Sequence, residues 1–255
     1  MLQPTDSLRL RLKTGAPFIV TFSIIAAVEI VELVALAGFD GIILDMEHGA
    51  YGTESLGPLV LAARARGIYP LVRVRTGEPS EIGAALDAGA AGVIVPQIGS
   101  AEEARRAVRA ARFAPDGNRG ANPFVRGADY SGRAEWFAKA NEDVAVLLMV
   151  EGADGVAALP EILTVPTLDG IFLGPMDLSH ALGVPGEMGH PKVVQTIEAV
   201  IEAVGTAGLV AAIFAGTPDS ARRWLGRGVT LVGVGVDTAH ILVGLKGVAE
   251  AVRAK

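Results

Sequence analysis

Eight short apolar segments alternate with longer amphipathic segments along this chain of 255 residues. Each apolar segment is nearly continuous, as is typical of parallel strands that are buried on both faces. Strands that alternate with helices at this spacing indicate β–α–β units, and eight such units favour a closed (β/α)₈ barrel of the TIM type over an open sheet. The predicted strands are Phe18–Phe22, Gly41–Asp45, Pro70–Val74, Gly92–Val95, Val144–Val150, Gly170–Leu173, Val210–Phe214 and Thr230–Val234.

The amphipathic segments between these strands predict one helix for each strand. The chain length is typical of one such barrel, so we interpret residues 1–255 as a single domain, although length alone leaves two domains open. No G-x-G-x-x-G or Walker A motif follows the first strand, which weakens a doubly wound alternative. The predicted helices are Ala26–Ala37, Thr53–Arg66, Pro79–Ala88, Ala101–Phe113, Ala153–Leu163, Pro191–Ala207, Pro218–Arg227 and Thr238–Arg253.

Two segments interrupt the alternation of strands and helices. Ala114–Asn141 is far longer than an ordinary connection, which predicts a functional loop. His180–His190 is a second insertion, rich in Gly and Pro. The basic segment Arg9–Lys13 near the N-terminus is interpreted as the solvated face of a helix.

The composition narrows the classes of partner and of chemistry. The formal net charge is -6 and no basic block stands out, so nucleic acid is not an expected partner. The chain has no Cys, which excludes disulfides, thiolate metal sites and a Cys nucleophile and fits a cytoplasmic protein. The first residues lack the apolar stretch of a signal peptide, and the longest apolar run, Phe18–Val34, is interrupted by polar residues. We therefore expect no membrane partner.

Polar side chains gather where the predicted strands end, and this is the end at which TIM barrels carry their catalytic groups. Carboxylates brought together there repel one another unless a cation neutralises them, and hard oxygen ligands suit Mg²⁺, Mn²⁺ or a similar ion. By contrast, Asp40 and Asp169 precede strands and are interpreted as turn residues. The polar residues at the strand ends are Asp45, Glu47, His48, Arg73, Gln97, Glu151, Asp177 and Asp237.

Structural alternatives stay open for the main candidates at this stage. Glu151 could cap the following helix or pair with an Arg, and Asp177 lies where a helix N-cap is expected. Arg73 lies inside an apolar strand, so it needs an anion, either in a core ion pair or in a substrate. No Lys lies at a predicted strand end, which disfavours a Schiff-base mechanism.

Several segments, in order along nearly the whole chain, resemble the motifs of the HpcH/HpaI aldolase family, the class II pyruvate aldolases. One motif alone is weak, but several in order at consistent spacing are specific. The segments are AGFDGIILDMEHG (Ala37–Gly49), LVRV (Leu71–Val74), GVIVPQIGSAEEA, FAPDGNRGA (Phe113–Ala121), MVEG, LGPMDLSHALG and GVGVD.

The resemblance implies a metal-dependent aldehyde-lyase that cleaves 4-hydroxy-2-oxo acids, such as 4-hydroxy-2-oxoheptanedioate or 2-keto-3-deoxy sugar acids. The products would be pyruvate, or a related 2-oxo acid, and an aldehyde. Glu151 and Asp177 would bind the cation, Mg²⁺, Mn²⁺ or Co²⁺, and pyruvate would chelate the same ion. The backbone amides of Met176 and Asp177, after Gly174 and Pro175, would hold the pyruvate carboxylate.

The same resemblance implies roles for the second and third strands. Arg73 would contact the keto oxygen and stabilise the enolate, and His48, oriented by Asp45, would transfer a proton. Phe22, in the substrate site, stands where several members have Trp, and Met149 stands where many have Gln. The segment 123–130 supplies Arg126, interpreted as a rim cation shared with a neighbouring subunit. The family also implies a homohexamer in which the C-terminal helix is exchanged between subunits.

Three alternatives stay open. A lyase acting on a CoA thioester, of the citrate lyase β or malyl-CoA lyase type, shares the fold, although the chain is short for it. A non-catalytic barrel that binds a metal or metabolite is disfavoured by His48 and Arg73, because binding alone needs no proton-transfer group. A phosphate-binding isomerase barrel has modest support from Phe214–Thr217 and Gly233–Asp237, which follow the last two strands.

Overall fold

The eight strands close into one parallel barrel, which confirms the predicted fold. The computed structural model describes residues 7–254, so positions 1–6 of the N-terminal segment considered above, and Lys255, lie outside the described residues. Each strand pairs in parallel with the next, and β8 pairs with β1. The strands, all within two residues of their predicted bounds, are β1 Phe18–Ser23, β2 Gly41–Asp45, β3 Tyr69–Arg73, β4 Gly92–Val95, β5 Ala145–Val150, β6 Gly170–Leu173, β7 Val210–Ala215 and β8 Leu231–Val236.

The helices surround the barrel, and one predicted helix is divided. Pro160 lies at the start of α8, and because a proline has no N–H to continue a helix, α7 ends just before it. No helix among residues 7–254 is long and apolar enough to cross a membrane. The helices are α1 Leu8–Lys13, α2 Val28–Leu36, α3 Thr53–Ala65, α4 Pro79–Asp87, α5 Ala101–Ala111, α6 Glu135–Asp143, α7 Ala153–Ala157, α8 Leu159–Ile162, α9 Pro175–Ala181, α10 Pro191–Thr206, α11 Pro218–Leu225 and α12 Asp237–Arg253.

The long connection Ala114–Asn141 is not a loop beside the strand ends. It runs from the end of α5 to the start of β5, so it lies at the N-terminal mouth of the barrel. It contains a 3₁₀ turn at Arg126–Ala128 and most of α6, which packs on Phe113 through Trp136, with ring centroids 5.1 Å apart. The segment therefore lies away from the C-terminal strand ends of its own barrel, because the chain enters it from a helix and not from a strand, and its functional role stays a prediction.

Alternate side chains along each strand fill two separate layers of the core. Ile42 and Leu44 of β2 pack outward against the helices, whereas Ile43 belongs to the cluster inside the barrel. Helix α1 closes the N-terminal mouth, because Leu8 and Leu12 join the inner cluster and are each 1% exposed. The segment Arg9–Lys13 is thus only partly the solvated face that its charges predicted.

A buried ion cluster fastens α1 and α5 to the strands at this closed mouth. The Asp169 carboxylate accepts hydrogen bonds from Arg9 Nε and Arg112 Nη2, both at 2.5 Å, and from the Val146 amide at 2.8 Å. The Arg112 side chain is fully buried and also donates to the Val144 and Thr167 carbonyls. Asp169 is therefore structural, as its position before a strand predicted.

We expect Asp169→Ala to lower the free energy of unfolding by about 3–5 kcal/mol, because Arg112 stays buried without its anion. Denaturant-induced unfolding measures the change. Asp219→Ala is the control, since Asp219 forms an exposed ion pair with Arg222 on α11 and its loss costs about 1 kcal/mol or less. Equal, small losses of unfolding free energy in both variants would show that the buried ion cluster does not stabilise the fold.

Candidate active site

Arg73 and Asp45 form a buried, two-pronged ion pair at the C-terminal mouth of the barrel. They end neighbouring strands in register, and Arg73 Nε and Nη2 lie 2.8 and 2.6 Å from Asp45 Oδ1 and Oδ2. Arg73 Nη1 lies 3.1 Å from Glu47 Oε2. Burial alone lowers the pKa of Arg73, but the hydrogen bonds and charge of Asp45 and the charge of Glu47 outweigh it and raise that pKa. Arg73 is therefore a permanent cation in a core ion pair, one of the two alternatives that the sequence left open.

Asp45 reaches His48 through the backbone and not through the imidazole ring. Asp45 Oδ1 accepts hydrogen bonds from the amides of Glu47, at 3.1 Å, and His48, at 3.4 Å. Among residues 7–254 no hydrogen bond joins this carboxylate to the His48 ring, and its oxygens bind Arg73 and the two backbone amides. The interpretation that Asp45 orients His48 therefore holds for the turn that carries His48, whereas the imidazole itself makes no such contact.

Aromatic side chains form an apolar floor beneath the guanidinium. The carbon of the Arg73 guanidinium lies 4.9 Å from the centroid of the Phe22 ring. Phe172 and Phe214 meet Phe22 edge-on at centroid distances of 5.9 and 5.7 Å. A Cβ on Gly233 would lie 2.8 Å from the Phe22 ring, so the glycine leaves the space that this ring fills. The floor thus fixes one side of Arg73 and excludes water from it.

Glu151 is a buried carboxylate without a cationic partner in hydrogen-bond contact. Its Oε1 accepts the backbone N–H of Gln97 at 2.9 Å. A Cβ on Gly174 would lie 2.5 Å from Glu151 Oε2, so only glycine leaves room for this carboxylate between β5 and β6. The helix after Glu151 is capped by Gly152 without a side-chain bond, and no described salt bridge joins Glu151 to an Arg. Neither structural alternative for Glu151 is observed.

The electrostatic surroundings of Glu151 are unusual for a carboxyl group. Burial, followed by the charges of Asp177 and Glu47, raises its pKa to about 7, against the opposing hydrogen bond from Gln97 and the charge of Arg73. Asp177 is the third residue of α9, whose N-cap is Gly174, and its side chain makes no capping bond. The N-cap alternative for Asp177 is therefore wrong, and its exposed carboxylate faces the same site.

These side chains line one cavity of about 400 Å³ at the C-terminal mouth, which includes Glu47, His48, Gln97, Glu151, Asp154 and Asp177. No group of three or more His, Cys, Asp or Glu residues within 7–254 is arranged to hold a metal ion. The protein thus offers two carboxylates, Glu151 and Asp177, to a cation, and the remaining ligands would be water and substrate oxygens. Hard oxygen donors and an uncompensated negative charge fit a divalent cation of the Mg²⁺ type.

Asp237 and Arg126 do not line this cavity, whereas Gln97, which the sequence placed at a strand end without a role, does. Asp237 accepts hydrogen bonds from Ser23 Oγ and from the amides of Ile24 and Ile25, at 2.9–3.0 Å, and so holds the chain after β1. Arg126 lies beside Gly89 at the N-terminal mouth, away from the cavity of its own chain. Gln97 had no predicted role, although its position after Pro96 at the end of β4 placed it near the site.

Comparisons with known proteins identify the family and agree with this fold. The family described as "HpcH/HpaI aldolase/citrate lyase" matches residues 19–243. The chain is 38% identical to the hydroxypyruvate/pyruvate aldolase of Pseudomonas aeruginosa over 96% of this chain and 92% of that protein. It is 37% identical to the 2-keto-3-deoxy-L-rhamnonate aldolase of Escherichia coli over 81% of this chain and 78% of that protein. A crystal structure of an HpcH/HpaI aldolase/citrate lyase family protein from Burkholderia cenocepacia superposes with a TM-score of 0.93 at 34% identity, covering 98% and 100% of the two chains.

In metal-free protein we expect Glu151→Gln to be more stable than the wild type at pH 8 but not at pH 5. The pKa of Glu151 rises from about 4.5 to about 7 on folding, so its protonated form favours the folded state. This contribution to the free energy of unfolding is complete below the unfolded pKa and is lost as the pH rises through about 7. The advantage of the variant therefore grows by about 2–3 kcal/mol between the two pH values. Unfolding in the presence of a chelator measures it, and a difference that does not change with pH contradicts the assigned surroundings.

Proposed function

The chain belongs to the HpcH/HpaI aldolase/citrate lyase family, and we propose that it is a metal-dependent aldolase. In this proposal it reversibly cleaves 4-hydroxy-2-oxo acids into pyruvate, or a related 2-oxo acid, and an aldehyde. The observation that carries the proposal is the buried carboxylate of Glu151 beside Asp177, in one cavity with His48 and next to the Arg73 ion pair. The aldolase names of the two relatives described above support the same reaction class.

Glu151 and Asp177 are the residues that would hold the divalent cation, Mg²⁺, Mn²⁺ or Co²⁺. When bound, such a cation supplies Lewis acidity that lowers the cost of negative charge on a keto oxygen. Gln97 already occupies Oε1 of Glu151, which leaves Oε2 available, and the Asp177 carboxylate makes no described hydrogen bond within the protein. These free oxygens support the assignment of both ligands.

The first turn of α9 is the proposed anchor for the carboxylate of pyruvate. Gly174 and Pro175 start the helix, and the amides of Met176 and Asp177 have no described acceptor among residues 7–254. Unsatisfied amides at a helix start bind anions, because they donate hydrogen bonds along the helix dipole. Gly174 thus contributes twice, since it also leaves room for the Glu151 carboxylate.

Arg73 would stabilise the enolate that forms when the carbon–carbon bond breaks. A guanidinium has five N–H donors, and three of its contacts go to Asp45 and Glu47. The pairing with Asp45 fixes the plane of the group, and Phe22 packs against its face. The remaining N–H groups can then meet the developing oxyanion without reorganisation, which is the most effective form of electrostatic stabilisation.

His48 is the proposed proton-transfer group. Its ring makes no described hydrogen bond within residues 7–254 and lines the cavity beside Glu47. In the cleavage direction His48 accepts the proton of the C4 hydroxyl, the bond between C3 and C4 breaks, and its electron pair moves into the enolate. Protonation of the enolate at C3 then gives pyruvate, and the aldehyde leaves. General base catalysis of this kind contributes about 10²–10⁴ in rate.

The exposed surface of α12 supports the proposal of a homohexamer with exchanged C-terminal helices. Among the described residues of this helix only Asp237 is buried. Exposed apolar groups of this extent mark protein contacts. The exposed apolar side chains of α12 are Ile241, Leu242, Val243, Leu245, Val248 and Val252.

We also propose that residues 1–255 form one domain and that the protein acts in the cytoplasm, in keeping with a chain without Cys.

Removal of metal is the direct test of the reaction. We expect EDTA to abolish the release of pyruvate from a panel of 4-hydroxy-2-oxo acids, and Mg²⁺, Mn²⁺ or Co²⁺ to restore it. Glu151→Gln and Asp177→Asn should stay folded and lose affinity for Mn²⁺ on the order of 10²-fold or more, because each removes a ligand. Full activity in the chelator would refute the metal mechanism. Cleavage of CoA thioesters, without cleavage of the free acids, would instead favour the thioester lyase alternative.

Arg73→Lys is expected to keep the fold and lower kcat on the order of 10²–10³-fold, because an ammonium cannot match the planar pairing with Asp45 and an oxyanion together. Steady-state kinetics with the best substrate of the panel measures the loss. Arg75→Lys is the matched control, since Arg75 lies two residues away, half-exposed, and pairs with Glu81. A wild-type rate in Arg73→Lys would remove Arg73 from the mechanism.

A further inference from the structure

Gln97 adopts a backbone conformation that residues other than glycine rarely adopt. It follows Pro96 at the end of β4, and its φ angle is 57°, in the left-handed region. Such residues persist where contacts hold them, and they occur often at functional sites. Unlike Asp129 and Tyr130, which share this conformation at the opposite mouth, Gln97 lines the catalytic cavity.

Two hydrogen bonds of Gln97 reach two different parts of the site. Its backbone N–H donates to Glu151 Oε1 at 2.9 Å, and its side-chain Nε2 donates to Glu47 Oε1 at 3.0 Å. The N–H of Gln97 lies in the peptide that follows Pro96, and the next N–H, of Ile98, donates to the Met149 carbonyl of β5 at 3.1 Å. The left-handed conformation of Gln97 therefore lets two successive amides meet two acceptors at the end of β5. The other oxygen of Glu47 contacts Arg73. A continuous series of contacts therefore joins Glu151 to Arg73 through Gln97 and Glu47.

The two contacts differ in kind. The backbone N–H is part-buried and holds one oxygen of a carboxylate that is 6% exposed, so its loss leaves a buried group without its donor. The side-chain bond to Glu47 lies at the exposed edge of the cavity, where water can replace it. The backbone conformation of Gln97 should therefore matter more for Glu151 than its side chain does.

We propose that Gln97 is a positioning residue, whose left-handed backbone fixes Glu151 for cation binding and whose side-chain amide fixes Glu47 against Arg73. The proposal rests on the proposed function, because it assigns Glu151 to the cation. Two separate effects follow. A change in the backbone conformation at 97 alters the affinity for the cation, and a change in the side chain alters the KM for the 2-oxo acid.

The test measures Mn²⁺ binding by electron paramagnetic resonance in the absence of substrate, followed by kinetics. Gln97→Asn tolerates the left-handed conformation but is too short to reach Glu47. We expect unchanged Mn²⁺ affinity and a higher KM for the 2-oxo acid. Gln97→Val disfavours the left-handed conformation, because the side chain is branched at Cβ, and should lower Mn²⁺ affinity about 10–100-fold. If the valine variant does not fold, Gln97→Ala takes its place, and Mn²⁺ affinity should again fall.

Tyr130→Val is the matched control, because it places the same branched side chain at a φ of 55°, far from the cavity. It should lower thermal stability as Gln97→Val does and leave Mn²⁺ affinity unchanged. Wild-type Mn²⁺ affinity in Gln97→Val, or an equal loss in Gln97→Asn, would overturn the positioning role while the proposed function stands. A wild-type protein that binds no Mn²⁺ would instead overturn the proposed function and this inference with it.

Discussion

Uncompensated negative charge at one mouth of the barrel is the constraint on which this site depends. Of the groups that shift the pKa of Glu151, only Arg73 is cationic, and its charge is already shared by Asp45 and Glu47. Burial then makes the charged form of Glu151 costly, since few donors replace the lost water. A protein keeps such an arrangement when a ligand relieves it, and a bound divalent cation would do so.

The closed parallel barrel creates this constraint and also supports it. Because all strands run in the same direction, the ends of β5 and β6 bring Glu151 and Asp177 to one mouth, and the ends of β2 and β3 bring Asp45 against Arg73. The opposite mouth is closed by α1 and by the cluster around Asp169, whose carboxylate contacts both Arg9 and Arg112. The buried cluster around Asp169 thus lies at one mouth and the candidate active site at the other, an arrangement typical of barrels of this architecture.

The sequence predicted the strands well because parallel strands buried on both faces leave continuous apolar runs. It singled out Asp45, Arg73 and Glu151 because they lie at the ends of those runs, and Asp177 because it follows the sixth strand by four residues. It failed where a contact depends on side-chain direction: the Asp45 carboxylate binds Arg73 and two backbone amides, and within residues 7–254 it makes no hydrogen bond to the His48 ring. The left-handed turn at Gln97 had no sequence signal, since glutamine carries none of the preference for this conformation that glycine or asparagine has.

We propose that Glu151 and Asp177 bind one cation at which a 2-oxo acid also binds. The most direct measurement is a crystal structure of the protein soaked with Mn²⁺ and pyruvate, with anomalous scattering recorded from manganese. We predict one anomalous peak at the C-terminal mouth, within coordination distance of an oxygen from each of the two side chains and of two pyruvate oxygens. A peak that touches neither side chain, or pyruvate bound without the metal, would contradict the account.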